Sequence, residues 1–503
     1  MGTRPRVRPN HSASRRAAGS SDTSMEVHFK LFGTDGVSLQ SQELTKALRM
    51  RGWRVHSCAS DVPDGVEGLR VPELSYQSDD ALALRRRIFR ADAGAVDQTA
   101  GRRLVAEIEE RARTIRQRIE AYADEHGIRL LHVRNITSLP YNFPATLAFY
   151  QLVMDRPDIR FLLQHHDLYW EGPNARSFLS PYTAVAELTD TITCPNRPNT
   201  THVLINPIAA RALRERKGIT GAVIPDGFDF DREVTAIDEI AFRSRLDVLT
   251  GSQTPVTSDD LVVAMPARVA INKAIELAIQ FVAGLEGRRA ELESAPGGLG
   301  TRRRRLTAGD RIVLLLPQGE DLEESRAYVD RLVAYATHLG ITLAYGGRIV
   351  VPDRKYTQGD RDHYPFYSTY QTVDLVCYPP EHEGFGNQAI EAVWARRPLA
   401  VLEYPVFKAF VREHIPHYIS LGEVPGLGRL EEFGGLHMLR EDVLQRALGE
   451  AIAVLRDRDL ERHWVEENAI SLRGFCGIDT VCEQYIDLYD PARRRLADRP
   501  ERQ

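Results

Sequence analysis

Two successive series of apolar segments, each alternating with helix-like patterns, constrain the fold of this chain more than any other feature. Short apolar runs separated by amphipathic stretches predict parallel sheets, because parallel strands need a crossover connection and that connection is usually a helix. The predicted strands are Val27–Phe32, Arg54–Cys58, Arg129–Val133, Arg160–Gln164, Thr191–Cys194 and Val203–Ile205 in the first series, and Leu261–Met265, Ile312–Leu316, Ile341–Tyr345, Val373–Tyr378 and Leu399–Leu402 in the second. The predicted fold class is α/β, with two Rossmann-like, doubly wound domains.

The length of 503 residues agrees with two domains, since it exceeds what one hydrophobic core usually serves. We predict a disordered tail over residues 1–24, a first domain over 25–235 and a second over 236–469, with a helix over 470–490 that crosses back to the first domain. Met25 directly precedes the first predicted strand. The charged stretch Leu82–Asp124, with spaced Leu, Ile and Val, predicts one or two surface helices inserted in the first domain.

Charge and apolar content argue against several classes of partner. The first 24 residues hold five arginines and one aspartate, which leaves 60 basic against 69 acidic residues in the rest of the chain. A mildly acidic body argues against nucleic acid as the main partner. No run approaches the ~20 apolar residues of a membrane span, and five scattered cysteines predict buried thiols. We expect a cytoplasmic protein without integral membrane contact.

The stretch Pro380–Ala392 (PEHEGFGNQAIEA) carries the strongest functional signal. Two carboxylates, Glu383 and Glu391, bracket a glycine loop after a predicted buried strand. The glycines let backbone approach a ligand, and Asn387 is expected to cap the next helix, which places Glu391 in its first turn. Free amides at a helix start attract anions, and carboxylates accept from ribose and sugar hydroxyls. This segment therefore predicts a site that holds both ends of a nucleotide sugar.

A second signal lies about a hundred residues upstream. Arg268 and Lys273 follow a predicted strand that Pro266 ends, and they precede a helical pattern. Together the two cations could neutralise a departing diphosphate. Taken alone they are more simply surface charges, but the glutamate block downstream favours the phosphate interpretation.

Two weaker signals lie in the first domain. Gly33 and Gly36 form a phosphate-approach turn between a strand and a helix, without the spacing of a dinucleotide fingerprint or a triphosphate loop. His166 follows a predicted strand at the edge where open α/β sheets bind ligands, and we predict that it touches the transferred sugar. A structural histidine is the alternative. The pairs Asp229/Asp231 and Asp360/Asp362 fall in predicted loops, so no metal is expected. No cofactor is expected either.

These residues together resemble family 4 of the retaining glycosyltransferases, which have the GT-B fold and bind the donor between two Rossmann-like domains. The resemblance spans roughly Met25–Tyr489 and rests mainly on Glu383-x7-Glu391 and the Arg268/Lys273 pair. It implies that Arg268 and Lys273 contact the donor diphosphate and that Glu391 contacts the ribose. The donor sugar would meet His166, Glu383 and the backbone of Gly384, Phe385, Gly386 and Asn387, while Gly33 and Gly36 would approach phosphate or acceptor.

Within that family, the segments 33–39, 165–171 and 383–387 look like those of mannosylglucosylglycerate synthases, which use GDP-mannose. That likeness implies a retaining, metal-independent hexosyltransferase with a nucleotide sugar, GDP-sugar favoured, as co-substrate and a small soluble acceptor. Asp226 departs from the family's Pro-Asn-Gly turn. The alternatives are a lincosamide-type S-glycosyltransferase that uses a GDP-activated sugar, a sugar-nucleotide epimerase, or an inactive sugar-nucleotide-binding scaffold. A homo-oligomer is compatible with each.

Overall fold

The computed structural model describes residues 22–490, except 34, 91–95, 173, 252–253, 301 and 319–321. Residues 1–21 of the predicted disordered tail lie outside the described part of the chain. Thr23 and Ser24 already belong to the first strand, so this strand begins two residues before Met25 and the predicted end of the tail at residue 24 is wrong.

The first domain is built on a seven-stranded sheet in which all neighbouring strands are parallel. Its strands are β1 Thr23–Val27, β2 Arg54–Ala59, β3 Gly68–Arg70, β4 Leu130–Arg134, β5 Arg160–His165, β6 Thr200–Leu204 and β7 Ala222–Val223, and its helices are α1 Gly36–Met50, α2 Asp79–Ile88, α3 Gln98–Glu125, α4 Phe143–Asp155, α5 Asn174–Ser177, α6 Thr183–Ile192 and α7 Pro207–Lys217. The strand order is β3-β2-β1-β4-β5-β6-β7.

Two predicted strands of the first series are wrong. The first strand was predicted over Val27–Phe32, but it ends at Val27, and the amides of Leu31 and Phe32 donate to the carboxylate of Asp61 at 2.8 and 2.9 Å. The apolar residues there pack under a loop instead of pairing in the sheet. The segment Thr191–Cys194 instead completes α6 and a turn, because the buried positions of α6 follow a helical spacing.

The second domain repeats this plan. Its elements are α8 Glu239–Ser244, β8 Asp247–Val248, β9 Leu261–Ala264, α9 Ile275–Gly287, α10 Arg289–Glu293, β10 Ile312–Leu316, α11 Arg326–His338, β11 Thr342–Tyr345, β12 Val350–Val351, β13 Tyr364–Pro365, α12 Phe366–Thr369, β14 Leu375–Tyr378, α13 Asn387–Trp394, β15 Leu399–Glu403, β16 Ile419–Glu423, β17 Gly428–Leu430, β18 Leu436–Met438, α14 Glu441–Arg456 and α15 Arg458–Cys476. The last helix, α16 Ile478–Tyr489, follows α15 and returns to the first domain. The main sheet has the order β16-β15-β14-β9-β10-β11-β8, with only β8 antiparallel to its neighbour.

Both main sheets therefore have a doubly wound topology, and the predicted fold class is confirmed. The strand order reverses between β1 and β4 in the first sheet and between β9 and β14 in the second. In open α/β sheets, ligands bind beyond the carboxyl ends of the strands at such reversals.

The chain crosses between the domains twice, at adjacent places. The Phe228 amide donates to the Cys476 carbonyl at 2.8 Å, and the Ile478 amide donates to the Phe228 carbonyl at 2.9 Å. Beyond this pairing α16 packs on the first domain, where Tyr489 Oη lies 2.8 Å from His132 Nδ1 and Arg160 donates to the Tyr489 carbonyl at 2.7 Å. All five cysteines are buried and free. No helix in the described part of the chain has the length and apolarity to span a membrane.

Candidate active site

The residues predicted to bind the donor come from the two strands that flank the reversal in the second sheet. Strands β9 and β14 pair side by side, with Val263 opposite Leu375 and Ala264 opposite Val376. The connection after β9 carries Arg268 and Lys273, and the connection after β14 carries Glu383. Parallel pairing thus brings segments about a hundred residues apart to the same edge.

Lys273 and Glu383 form an ion pair at this edge. The ammonium of Lys273 donates to Glu383 Oε1, and the hydroxyl of Tyr378 donates to the same oxygen. Lys273 is 8% exposed. Gln388 Oε1 also lies 3.0 Å from Tyr378 Oη. Two donors and a neighbouring helix therefore hold the Glu383 carboxylate in one place.

Arg268 differs from Lys273 in its surroundings. Its side chain is exposed, and no carboxylate in the described part of the chain pairs with it. It lies on the short connection that ends at Ala274, whose φ of +46° ends the turn and allows α9 to begin. An unpaired guanidinium beside a paired ammonium leaves positive charge available for a diphosphate.

Gly386 shapes the glycine loop and corrects the predicted cap of α13. Its φ is +98°, and a Cβ at this position would lie 1.8 Å from Tyr404 Oη, which donates to the Phe385 carbonyl at 2.8 Å. Gly386 is the N-cap, so the prediction that Asn387 caps the helix is wrong, because the helix already begins at Asn387 and no side chain caps it. Consequently, Glu391 lies in the second helical turn instead of the first.

Glu391 is buried beneath the loop. It is 5% exposed and accepts a hydrogen bond from Tyr370 Oη at 2.6 Å. Burial raises its pKa to about 7, although the Tyr370 hydroxyl and the Arg232 guanidinium act in the opposite direction. Arg232 stacks on the Tyr367 ring, 4.1 Å from its centroid, and pairs with Glu43 of α1. The carboxylate predicted to bind ribose is therefore linked to the first domain.

His166 follows β5 and pairs with Asp226, which the sequence analysis considered only as part of a turn. Its Nε2 lies 3.1 Å from Asp226 Oδ1, and its amide donates to Asn135 Oδ1 at 2.7 Å. The neighbouring ring of His165 instead lies 2.9 Å from His202 Nδ1 and is fully buried. The two histidines therefore have separate environments, as alternation along a strand requires.

The first domain contacts the glycine loop directly. Asn206, at the start of α7, donates to the Gly384 carbonyl at 2.8 Å, and a Cβ on Gly384 would lie 3.7 Å from the His166 carbonyl oxygen. A Cβ on Gly36 would lie 3.6 Å from Asn387 Nδ2. The structure therefore brings His166, Gly36 and the loop 384–387 together at the domain boundary.

Gly33 has a different neighbour. A Cβ there would lie 2.5 Å from Asp35 Oδ2, and Asp35 caps α1 by accepting from the Ser38 amide at 3.1 Å. A carboxylate at this helix start makes it a poorer phosphate site than the glycines suggested.

Two carboxylates beyond β5 have raised pKa values. Desolvation by the surrounding protein raises the pKa of Asp167. The charges of Glu383 and Asp226 raise this pKa further, while His166 and His382 lower it. Burial, with a contribution from Asp167, raises the pKa of Glu171 to about 7. Asp167 is therefore coupled electrostatically to side chains of both domains.

A cavity of about 170 Å³ lies in the first domain between α2, α3 and the connection before α4. Arg85 lines it and stacks on the Tyr141 ring at 4.5 Å. The ring of Tyr76 also stacks on the Tyr141 ring, with their centroids 5.4 Å apart. Burial lowers the pKa of Arg85, and burial, with a smaller contribution from Asp167, raises the pKa of Tyr141. This cavity therefore lies on the side of the first domain that carries Asp167.

The two aspartate pairs considered as metal ligands bind protein groups. Asp229 accepts from the Asp231 amide at 3.0 Å, and Asp360 lies 2.9 Å from His363 Nδ1. Among the described residues, one set could ligate a metal ion, namely His417, His463 and Glu467, and none of these belongs to the site above.

Sequence reasoning missed the residues that support the predicted ones. Tyr378, Tyr370 and Asp226 each contact a predicted site residue through side-chain atoms. Tyr378 had a local signal, since it ends the strand before the glycine loop. The contacts of Tyr370 and Asp226 depend on packing between segments distant in sequence, which no local pattern records.

Comparisons with known proteins agree with this geometry. No family model matches the chain. A mannosylglucosylglycerate synthase from Thermotoga maritima is 29% identical over 443 residues, which is 88% of this chain and 93% of the relative. The corresponding enzyme from Petrotoga mobilis is 27% identical over 431 residues, which is 86% of this chain and 93% of that relative.

Among solved structures, the sucrose-phosphate synthase from Thermosynechococcus elongatus has a TM-score of 0.58 and 15% identity, over 95% of this chain and 99% of that chain. This likeness concerns the fold. The chain has the GT-B fold of glycosyltransferases, and its predicted resemblance to mannosylglucosylglycerate synthases is confirmed along most of its length.

Proposed function

We propose that this chain is a retaining glycosyltransferase that moves a hexose-type sugar from a nucleotide diphosphate donor, with a GDP-sugar favoured, to a small soluble acceptor. The observation that carries the proposal is the pairing of Lys273 with Glu383 at the strand reversal of the second sheet, beside a glycine loop and in front of Glu391. The relatives named mannosylglucosylglycerate synthase support sugar transfer, and their likeness to this chain favours a mannosyl donor.

In this proposal the donor diphosphate lies against Arg268 and Lys273. The Lys273 ammonium moves from Glu383 toward the phosphate oxygens, and this change frees the Glu383 carboxylate for the sugar hydroxyls. Glu391 accepts from the ribose diol. No metal is needed, because the two cations offset the charge of the departing diphosphate.

Transfer with retention requires the acceptor to attack from the face that the diphosphate leaves. Orientation and charge stabilisation then supply most of the catalysis, and orientation alone can contribute ~7 kcal/mol or more. The paired segments at Phe228 and Cys476–Ile478 are where closure of the domains would bend the chain. Closure would exclude water that otherwise hydrolyses the donor.

Differential scanning fluorimetry with GDP, UDP, ADP and their hexose conjugates tests donor binding. A ligand at 100 times its dissociation constant stabilises the folded protein by ~2.7 kcal/mol. A shift with GDP compounds alone supports the proposed GDP-sugar donor, and a shift with UDP compounds alone retains the reaction but removes the GDP preference. Absence of any shift contradicts the function. Proton NMR of the product's anomeric centre tests retention, and product analysis identifies the accepting atom.

A further inference from the structure

His417, His463 and Glu467 form a cluster of metal-ligand side chains on the surface of the second domain. His463 and Glu467 lie four residues apart on α15, so they share one face of the helix. His417 lies in the segment between β15 and β16, and its Nε2 is 2.6 Å from Glu467 Oε2. His463 Nδ1 is 3.6 Å from Glu467 Oε1. Two segments 50 residues apart in sequence therefore meet at one carboxylate.

The spacing of the three side chains suits a tetrahedral ion. Bonds of about 2.1 Å from a zinc ion to nitrogen and oxygen place neighbouring ligand atoms about 3.4 Å apart. One ligand atom from each side chain lies within 4.8 Å of the other two, so small changes of rotamer bring all three to that separation. The side chains are 24% to 55% exposed, so an ion can reach them from solvent and keep a water as its fourth ligand.

His417 is held over α15 by neighbours other than Glu467. Its amide donates to Asn468 Oδ1 at 3.0 Å, and Asn468 Nδ2 donates to its carbonyl at 2.7 Å. Asn468 is 3% exposed, so this clamp is built into the packed side of the helix. The His417 ring stacks on the Trp464 ring, with centroids 5.6 Å apart and planes 14° apart. A ring that is already ordered loses less conformational freedom when an ion binds.

Two imidazoles and one carboxylate also favour one class of cation. Zn²⁺ binds nitrogen and oxygen ligands in a tetrahedral arrangement, whereas Mg²⁺ and Ca²⁺ take oxygen ligands. We propose that His417, His463 and Glu467 bind a zinc ion, with water as the fourth ligand. This site is separate from the edge proposed to bind the donor, and it does not depend on the proposed sugar transfer.

A zinc ion here links α15 to the segment that supports the glycine loop. That segment begins with Tyr404, whose hydroxyl donates to the Phe385 carbonyl at 2.8 Å. Its Phe410 packs against Phe475 of α15, with ring centroids 4.9 Å apart. The unfolded chain does not hold the three ligands together, so zinc binding should stabilise the folded protein.

Isothermal titration calorimetry of the full chain, stripped of metal with EDTA, tests the site. Zn²⁺ should bind at one site per chain, and Mg²⁺ should not bind there. His463→Gln and Glu467→Gln should each raise the zinc Kd by more than the about 10–100-fold that loss of an outer partner of a ligand costs, because each removes a ligand itself. Excess Zn²⁺ should raise the melting temperature of the wild type and leave that of both variants unchanged. Circular dichroism confirms that the variants are folded.

His363→Gln is the matched control. His363 Nδ1 lies 2.9 Å from Asp360 Oδ2 on the surface, and no third possible ligand joins this pair in the described part of the chain. The zinc Kd of His363→Gln should therefore equal that of the wild type. This control shows whether a single surface pair of histidine and carboxylate is enough to bind the ion.

Trp464 locates the ion, because its ring lies against the His417 ring. Co²⁺ replaces zinc at tetrahedral sites and quenches the fluorescence of a nearby indole. Co²⁺ should quench part of the tryptophan emission of the wild type, and this quenching should be absent in Trp464→Phe, whose zinc Kd should stay unchanged.

Three results would overturn the proposal. The first is a wild-type chain that takes up no Zn²⁺ in calorimetry. The second is a wild-type zinc Kd in either His463→Gln or Glu467→Gln. The third is a loss of zinc binding in His363→Gln, or equal Co²⁺ quenching in the wild type and Trp464→Phe, since either would place the ion elsewhere. Failure of the nucleotide screen would leave this site standing, because the two proposals rest on different residues.

Discussion

The carboxyl edges of the two main sheets have the same strand order around their reversals but differ in how their polar groups are paired. In the second sheet, Glu383 accepts from Lys273 and Tyr378, and Glu391 accepts from Tyr370. In the first domain, His166 Nδ1 has no partner and Arg85 pairs with no carboxylate among the described residues. Apart from the exposed Arg268, these polar groups at the edge proposed to bind the donor are held in place before any ligand binds, whereas the first domain keeps groups available for one.

The largest effect should follow from substitution of Glu383, which accepts hydrogen bonds from Lys273 and Tyr378 in the second domain. Glu383→Gln removes the charge that holds Lys273 and replaces one carboxylate oxygen, which accepts hydrogen bonds, with an NH₂ group that donates them. We therefore expect kcat to fall by about 10²–10³-fold. Glu383→Ala should lose activity too while the protein stays folded. Steady-state kinetics measure the loss, and circular dichroism confirms folding.

A double-mutant cycle sharpens this prediction. If the two residues act as one unit, Lys273→Gln should cost much less in the Glu383→Gln background than in the wild type. Strictly additive effects would show that the ion pair has no role in catalysis, and normal turnover of Glu383→Ala would remove the assignment of this edge as the donor site.

Glu391 gives the next largest effect, with a defined pH dependence. Burial raises its folded-state pKa from 4.5 to about 7, so between these values the folded protein binds more protons than the unfolded chain. Stability from this residue is therefore full at low pH and falls as pH rises through this window. At 1.36 kcal/mol per pKa unit, the loss is about 3 kcal/mol above pH 7.

Glu391→Gln should abolish that loss. Its melting temperature should equal the wild-type value near pH 5 and exceed it near pH 8. Glu441→Gln, on the exposed first turn of α14, is the control and should show no such pH dependence. An unchanged difference between pH 5 and pH 8 would contradict a raised pKa at Glu391.

The substitution Gly386→Ala tests whether backbone geometry organises the edge of the second domain that is proposed to bind the donor. The Gly386 φ of +98° and the Tyr404 hydroxyl leave no room for a side chain, so Gly386→Ala should cost about 1–3 kcal/mol and weaken nucleotide binding. Gly287→Ala is the matched control, because a Cβ there meets nothing within 4 Å. Thermal melts with and without nucleotide measure both effects. Equal stability of the two variants would contradict the strain.

The same comparison explains how far sequence alone could go. The strands of the second domain are continuous apolar runs, so the fold class was predictable. Glu383-x7-Glu391 is a local pattern, so the position of the glycine loop between a strand and a helix was also predictable, while its role in donor binding stays a prediction. The first strand was misplaced because Phe29 and Leu31 are apolar yet pack in a loop. The pairing of His166 with Asp226 joins residues 60 positions apart, and only the assembled sheet and the interdomain turn bring them together.

Arg85→Ala is expected to give the smallest effect, and it tests the first domain, which keeps polar groups available for a ligand. The Arg85 guanidinium stacks on Tyr141 and lines a cavity smaller than the ~300 Å³ of ordinary ligand pockets, so it would contact only one end of an acceptor. Arg85→Ala should raise the acceptor KM by about tenfold, the scale of one hydrogen bond to a charged group, and leave the donor-induced melting shift unchanged. Arg87→Ala, whose side chain pairs with Glu107 instead, is the control. Steady-state kinetics with the acceptor found by product analysis measure this effect. A change in the donor KM alone would mean that Arg85 acts on donor binding, and the contrast between the two sheet edges would then be wrong.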